Sequence, residues 1–219
     1  MKSTPMKLVI GVALVATTMI SAPLASGADI NSTYPSWGAA ASALGTGGSL
    51  WNPANTAGLS LNGKVTAIAQ GVTLDSNGIA NGGSTFAGAT YGTSKKKTFT
   101  VSEYWQKTTS AADPATDIAS APVGMATINL GMTGMTVPVK ATISANCYTK
   151  AYSGNAAPPA KSFRCSKNDV LKYGGNLTML AQPSNSMGAP GNTYVNISTD
   201  GISYQQLLAI ATSMQQVSG

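Results

Sequence analysis

The sequence predicts an α+β fold: a curved antiparallel β-sheet with a C-terminal helix packed on it and an N-terminal extended arm. Three observations carry this. In "MTVPVKATISANC", Val137, Val139, Ala141, Ile143, Ala145 and Cys147 alternate strictly with polar or neutral residues. Period two over that length means a strand with one buried and one wet face. The dipeptides Asn62-Gly63, Asn77-Gly78 and Asn81-Gly82 accept the positive φ angles of tight hairpin turns. The chain then closes on "GISYQQLLAIATSMQQV", whose apolar residues change to helical spacing.

Each element follows in chain order. Residues 1–28 read as a secretory leader, with Lys2 and Lys7 before the apolar run Leu8–Ile20 and small residues around Ala28. Spanning a bilayer takes about 20 apolar residues, so the run fits a signal peptide cleaved near Ala28. Residues 29–61 lack sustained alternation and carry Trp37 and Trp51, which suits an arm docked by burial of its tryptophans. A short helix fits Ser36–Leu44. Residues 62–219 form the β-rich domain. "KVTAIAQGVTL", "STFAGATYG" and the Thr- and aromatic-rich "KKKTFTVSEYWQKTT" read as strands. "GMATINLGM" pairs with the alternating strand through Thr133-Gly134, and further strands are expected at Leu177–Gln182 and Thr193–Ser198. Pro138 cannot donate to a ladder, so its end belongs at an edge or a strand start. In the final helix, Ser203 is the N-cap, Gln206 completes a capping box, and Ile202 and Leu207 form a hydrophobic staple. Tyr204, Leu207, Leu208, Ala211 and Met214 make its apolar stripe.

Composition narrows the chemistry. Charged residues are only 9 % of the chain, with 13 Lys/Arg against 7 Asp/Glu, and two of those lysines lie in the leader. The mature excess of positive charge is therefore mild, and nucleic acid is not an expected partner. No second apolar run reaches spanning length, so no transmembrane segment is expected in the mature chain.

There is no histidine. Ser-His-Asp and Cys-His catalysis are therefore excluded, as are imidazole metal ligands. Two cysteines do not make a thiolate zinc site, which takes about four, and no cofactor is expected. Ser94 and Lys97 match a Ser-x-x-Lys spacing, but beside Lys95 and Lys96 they read as a solvated hairpin tip. Glu103 is the sole glutamate. A carboxylate pair runs glycoside hydrolysis, yet no spacing selects a pair from Glu103, Asp113, Asp117 and Asp169.

Cations gather around the cysteine loop: Lys140, Lys150, Lys161, Arg164, Lys167 and Lys172. They are the candidate partner-binding residues, for an anionic envelope polymer, lipid headgroups or an acidic protein; the plainer reading is a solubilising face. Cys147 and Cys165 lie 18 residues apart across a loop holding Gly154, Pro158 and Pro159. An oxidising compartment favours a structural disulfide, and the Cys-x-x-Cys spacing of redox sites is absent.

"CSKNDVLKYGGNLTMLAQPSNSMGAPGNTYVNISTDGISYQQLLAIATSMQQV" resembles the C-terminal region of small secreted envelope proteins of mycobacteria and related actinobacteria. The resemblance implies export and transfers no catalytic residue. Together these readings lead to the expectation of a secreted, non-enzymatic envelope or extracellular protein that works by binding. The alternatives are a carrier holding a lipid between sheet and helix, to which nine methionines lend an adaptable lining, and a carboxylate or Ser-Lys hydrolase.

Overall fold

A computed structural model of the chain describes residues 29–44, 50–73, 83–94, 96–106, 122–132, 135–147, 164–181 and 192–217. Residues 1–28, read from sequence as a leader, lie outside them, as do Lys150, Lys161, Asp113, Asp117 and the Asn77-Gly78 and Asn81-Gly82 dipeptides.

The strands are β1 (Ile30–Tyr34), β2 (Trp51–Pro53), β3 (Leu61–Gln70), β4 (Ser84–Ser94), β5 (Lys97–Gln106), β6 (Pro122–Met132), β7 (Met135–Ala145), β8 (Gly175–Ala181), β9 (Asn192–Asp200) and β10 (Met214–Gln216). The helices are α1 (Trp37–Leu44), α2 (Lys167–Tyr173) and α3 (Tyr204–Thr212). All ten strands join one sheet in the order β1-β3-β4-β5-β9-β8-β7-β6-β10-β2. The fold is α+β, a strongly curved sheet with its C-terminal helix against it, as expected.

The sheet is mixed rather than antiparallel throughout, because β10 runs parallel to β6. The expected helix also stops earlier. Ser213 ends it at Thr212, and Met214 enters β10 instead of extending the apolar stripe. The N-terminal segment contributes to both ends of the sheet: β1 pairs with β3, and β2 pairs with β10. Asn62-Gly63 makes no hairpin. It lies inside β3, where Gly63 has φ 82° and the register with β4 shifts. The same positive φ that suits a turn here serves a bulge.

Curvature follows from side-chain size. The inner face carries Ala67, Ala69, Ala87, Ala89, Ala141, Ala145 and Ala181, all buried. These leave room for larger groups brought in from elsewhere. Trp51, Leu50, Ile202, Leu207, Ile210 and Ala211 are each at most 1 % exposed. In α1, Trp37, Ala40, Ala41 and Leu44 bury one stripe at the i, i+3, i+4, i+7 spacing, and the Trp37 indole N–H donates to the Tyr91 hydroxyl at 2.9 Å. Tyr91 and Phe99, opposite one another on β4 and β5, stack with ring centroids 4.5 Å apart. At α3, Ser203 accepts from the Gln206 amide and the Gln206 side chain accepts from the Ser203 amide, so the capping box forms as read.

Cys147 and Cys165 are joined by a disulfide, with Cα atoms 6.2 Å apart. The bridge ties the end of β7 to the segment entering α2. Among the described residues, no helix is long and apolar enough to cross a membrane.

Candidate binding face on the outer side of the sheet

In a strand that buries one face, every second residue points the other way. The outward residues of five neighbouring strands fall into rows, and the register fixes which ones meet. One row runs Ile68–Phe86–Tyr104–Tyr194–Leu180 across β3, β4, β5, β9 and β8. Tyr104 is 40 % exposed; the other four are half-buried. The next row outward along the strands is polar: Thr66–Gly88–Ser102–Asn196–Thr178–Thr142. Neighbouring strands lie about 4.8 Å apart, so Phe86 and Tyr194 are separated by roughly 10 Å.

Gly88 shapes the junction between the rows. A side chain there would place its first carbon 2.9 Å from Cζ of Phe86. The Phe86 ring therefore lies over Gly88, laid down along the sheet rather than standing on it. Beside it opens a cavity of about 250 Å³ lined by Asn62, Lys64, Thr66, Phe86, Gly88, Thr90, Thr100 and Ser102 among others. The Thr90 and Thr100 hydroxyls share a hydrogen bond of 2.9 Å at its floor, and farther along the face the Asn196 amide donates to Thr178 at 3.0 Å. An aromatic ring beside an array of hydroxyl, amide and ammonium groups can take a ligand that is itself part apolar and part hydroxylated.

The cations named from sequence are dispersed. Lys140 points outward from β7, one step past the Ala141–Met179 pair, so it stands next to Leu180 at the end of the aromatic row. Lys167 and Lys172 lie on α2, which packs at the Ala145–Gly175 end of the sheet; Lys140 is five residues from Ala145, about 17 Å. Lys167 Nζ sits 4.8 Å from the Tyr204 ring centre, and Lys172 Nζ is equally near the ring of Tyr173. Arg164 is exposed beside the bridged Cys165. Between α2 and the start of α3 lies a second cavity of about 330 Å³, lined by Lys167, Asn168, Leu171, Ser203, Tyr204 and Gln205.

Among the described residues, Glu103 and Asp169 do not form a carboxylate pair. Glu103 faces inward from β5, is 1 % exposed, and accepts the Trp51 amide N–H. Burial pushes its pKa well up, and the Trp51 hydrogen bond only partly opposes this. Asp169 is at the surface in the first turn of α2, where the amide and then the hydroxyl of Ser166, each 2.7 Å away, hold its carboxyl below the ordinary range. Ser94 and Lys97 are the terminal pair of the β4–β5 hairpin. Among the described residues, no three His, Cys, Asp or Glu side chains gather as metal ligands would.

Sequence reasoning passed over Phe86, Tyr104, Tyr194, Thr66, Ser102, Asn196 and Lys64. Their parity was available: Phe99, Val101, Glu103 and Trp105 share the inward side of β5, which leaves Tyr104 outside. The alignment of three strands was not. No known protein family, curated relative or solved structure matches the chain.

Proposed function

We propose that this is an exported, non-enzymatic binding protein that holds a carbohydrate of the cell envelope on the outer face of its sheet. The observation that carries the reading is the Phe86 ring laid over Gly88 beside the Thr66–Ser102–Asn196 row. A sugar ring has a weakly apolar C–H face and a rim of hydroxyls. The former suits aromatic rings, and the latter suits neutral hydroxyl and amide partners. Export is supported by the leader-like residues 1–28, by the resemblance to secreted envelope proteins and by the Cys147–Cys165 bridge, which persists in oxidising compartments.

Affinity electrophoresis through gels containing cell-wall polysaccharides tests this. The protein is expected to be retarded, and Tyr104→Ala to migrate freely while retaining its unfolding midpoint. Equal migration in all gels, or unchanged retardation of Tyr104→Ala, overturns the reading.

A further inference from the structure

We propose that the edge strand β1 is a homodimer interface, at which a second copy of this chain pairs its own β1 antiparallel to the first. The proposal is independent of what the outer face of the sheet binds.

The sheet has two margins, β1 and β2, and they differ in how they meet their surroundings. β2 is three residues long, ends on Pro53, and has Trp51 and Pro53 buried. A short strand closed by proline offers little to a further strand. β1 is five residues long and pairs along its whole length with β3 in unbroken register. Among the described residues, β3 is its one neighbour in the sheet, and Asn31, Ser32 and Thr33 are exposed. The free side of an edge strand carries a row of backbone N–H and C=O groups. Proteins that stay apart guard such an edge with lysine, proline, a bulge or an inward-pointing charge. Ile30–Tyr34 has none of these.

The occupant follows from the strand's own residues. Set antiparallel to itself about Ser32, "INSTY" brings Ile30 opposite Tyr34 and Asn31 opposite Thr33. Both are favourable cross-strand pairs, aliphatic with aromatic and amide with hydroxyl. The two sides of the strand agree as well. Ile30, Ser32 and Tyr34 register with the buried Ala69, Ala67 and Val65 of β3, so they share the inner side, and Ile30 and Tyr34 pack on the core. Asn31 and Thr33 register with Ile68 and Thr66 on the outer side. A two-fold axis at the Ser32 pair keeps both inner faces on one side, so apolar groups meet apolar and polar groups meet polar.

Charge does not oppose the contact. Between Asp29 and Lys64 the chain carries no charged residue. Asp29 comes opposite Pro35 of the second copy rather than opposite its own counterpart, and Pro35, which lacks an N–H, ends the pairing. A foreign strand would find backbone partners on this edge but no charge to select it, whereas a second copy supplies a matching side chain at every position. Joined in this way the two sheets become one, with their outer faces side by side across the axis. A pairing of this length belongs with small interfaces, below about 1,200 Å², so the dimer is transient and depends on concentration.

Sedimentation velocity of the disulfide-intact protein tests the proposal. The wild-type chain is expected to pass from monomer to dimer as its concentration rises toward about 1 mM, and no further, because a two-fold pairing uses up the edge. Ser32→Lys and Ser32→Glu each set like charges against one another at the axis. Each is expected to weaken dimerisation by about tenfold or more while keeping the wild-type unfolding midpoint. An equimolar mixture of the two variants is expected to restore the dimer. A wild-type chain that stays monomeric up to about 1 mM overturns the proposal. Dimers that neither substitution weakens lie on another surface and overturn it too. A mixture no more associated than its components overturns the two-fold register about Ser32, and growth beyond the dimer overturns the closed pairing.

Discussion

The backbone N–H of Trp51 points at the carboxyl group of Glu103, 3.0 Å from each oxygen. Trp51 opens β2, which forms one margin of the sheet, whereas β5 occupies the fourth position from the other margin. The contact exists because the sheet curls until its last strand hangs over its middle. Glu103 is thus an interior acceptor for an otherwise orphaned amide.

That placement sets a pH dependence. Desolvation raises the Glu103 pKa well above its ordinary value of 4.5, so the folded chain binds this proton more tightly than the unfolded chain. The associated stability is fully present below the ordinary value and is lost as pH rises through the folded pKa. Glu103→Gln keeps an acceptor for Trp51 and removes the titration. Urea unfolding across this range is expected to show wild-type stability falling with rising pH and the variant nearly flat. Glu103→Ala leaves the buried Trp51 amide without its acceptor and is expected to cost about 1–3 kcal/mol.

Breaking the bridge between Cys147 and Cys165 is expected to lower stability. Closing a loop of 18 residues is worth about 3 kcal/mol in the chain-entropy model. Equilibrium unfolding of Cys147→Ser with Cys165→Ser measures the loss, and thiol titration of the denatured, unreduced protein is expected to find no free SH.

Ser203→Ala removes the acceptor for the Gln206 amide at the start of α3. The expected cost is about 1 kcal/mol, read from the urea midpoint at constant slope. Tyr204 leans on Gly124 and Leu207 is fully buried, so the whole protein, not only the helix, feels this change.

Gly201 has φ 63°, and a methyl group there would overlap the carbonyl oxygen of Lys96. Gly201→Ala therefore combines backbone strain with a collision between the β4–β5 hairpin and the turn leading to α3. A loss above about 1 kcal/mol is expected in thermal unfolding.

Much of the architecture was legible in the sequence because it is local. Alternation in "MTVPVKATISANC" marks β7, and Ser203 with Gln206 marks the start of α3; both signals lie within a few residues of what they specify. The three short strands β1, β2 and β10 were not legible. Trp51–Pro53 and Met214–Gln216 have no periodicity to display, and become strands only through pairing with each other across most of the chain. The inward turn of Glu103 was readable from its neighbours Val101 and Trp105, although a charged side chain in the core runs against expectation. The aromatic row needed information no local pattern holds. Tyr104 and Tyr194 are adjacent only because β9 inserts beside β5.

The pairing of β2 with β10 has a temporal meaning as well. Residues near position 52 wait for partners near position 215, and Val217 donates its amide to Leu50 to lock them. A contact of such sequence separation forms late and slowly. Until β2 and β10 pair, the curl stays open and the Glu103 carboxyl lacks its Trp51 partner. A chain built this way completes its core only when residues near positions 52 and 215 have met.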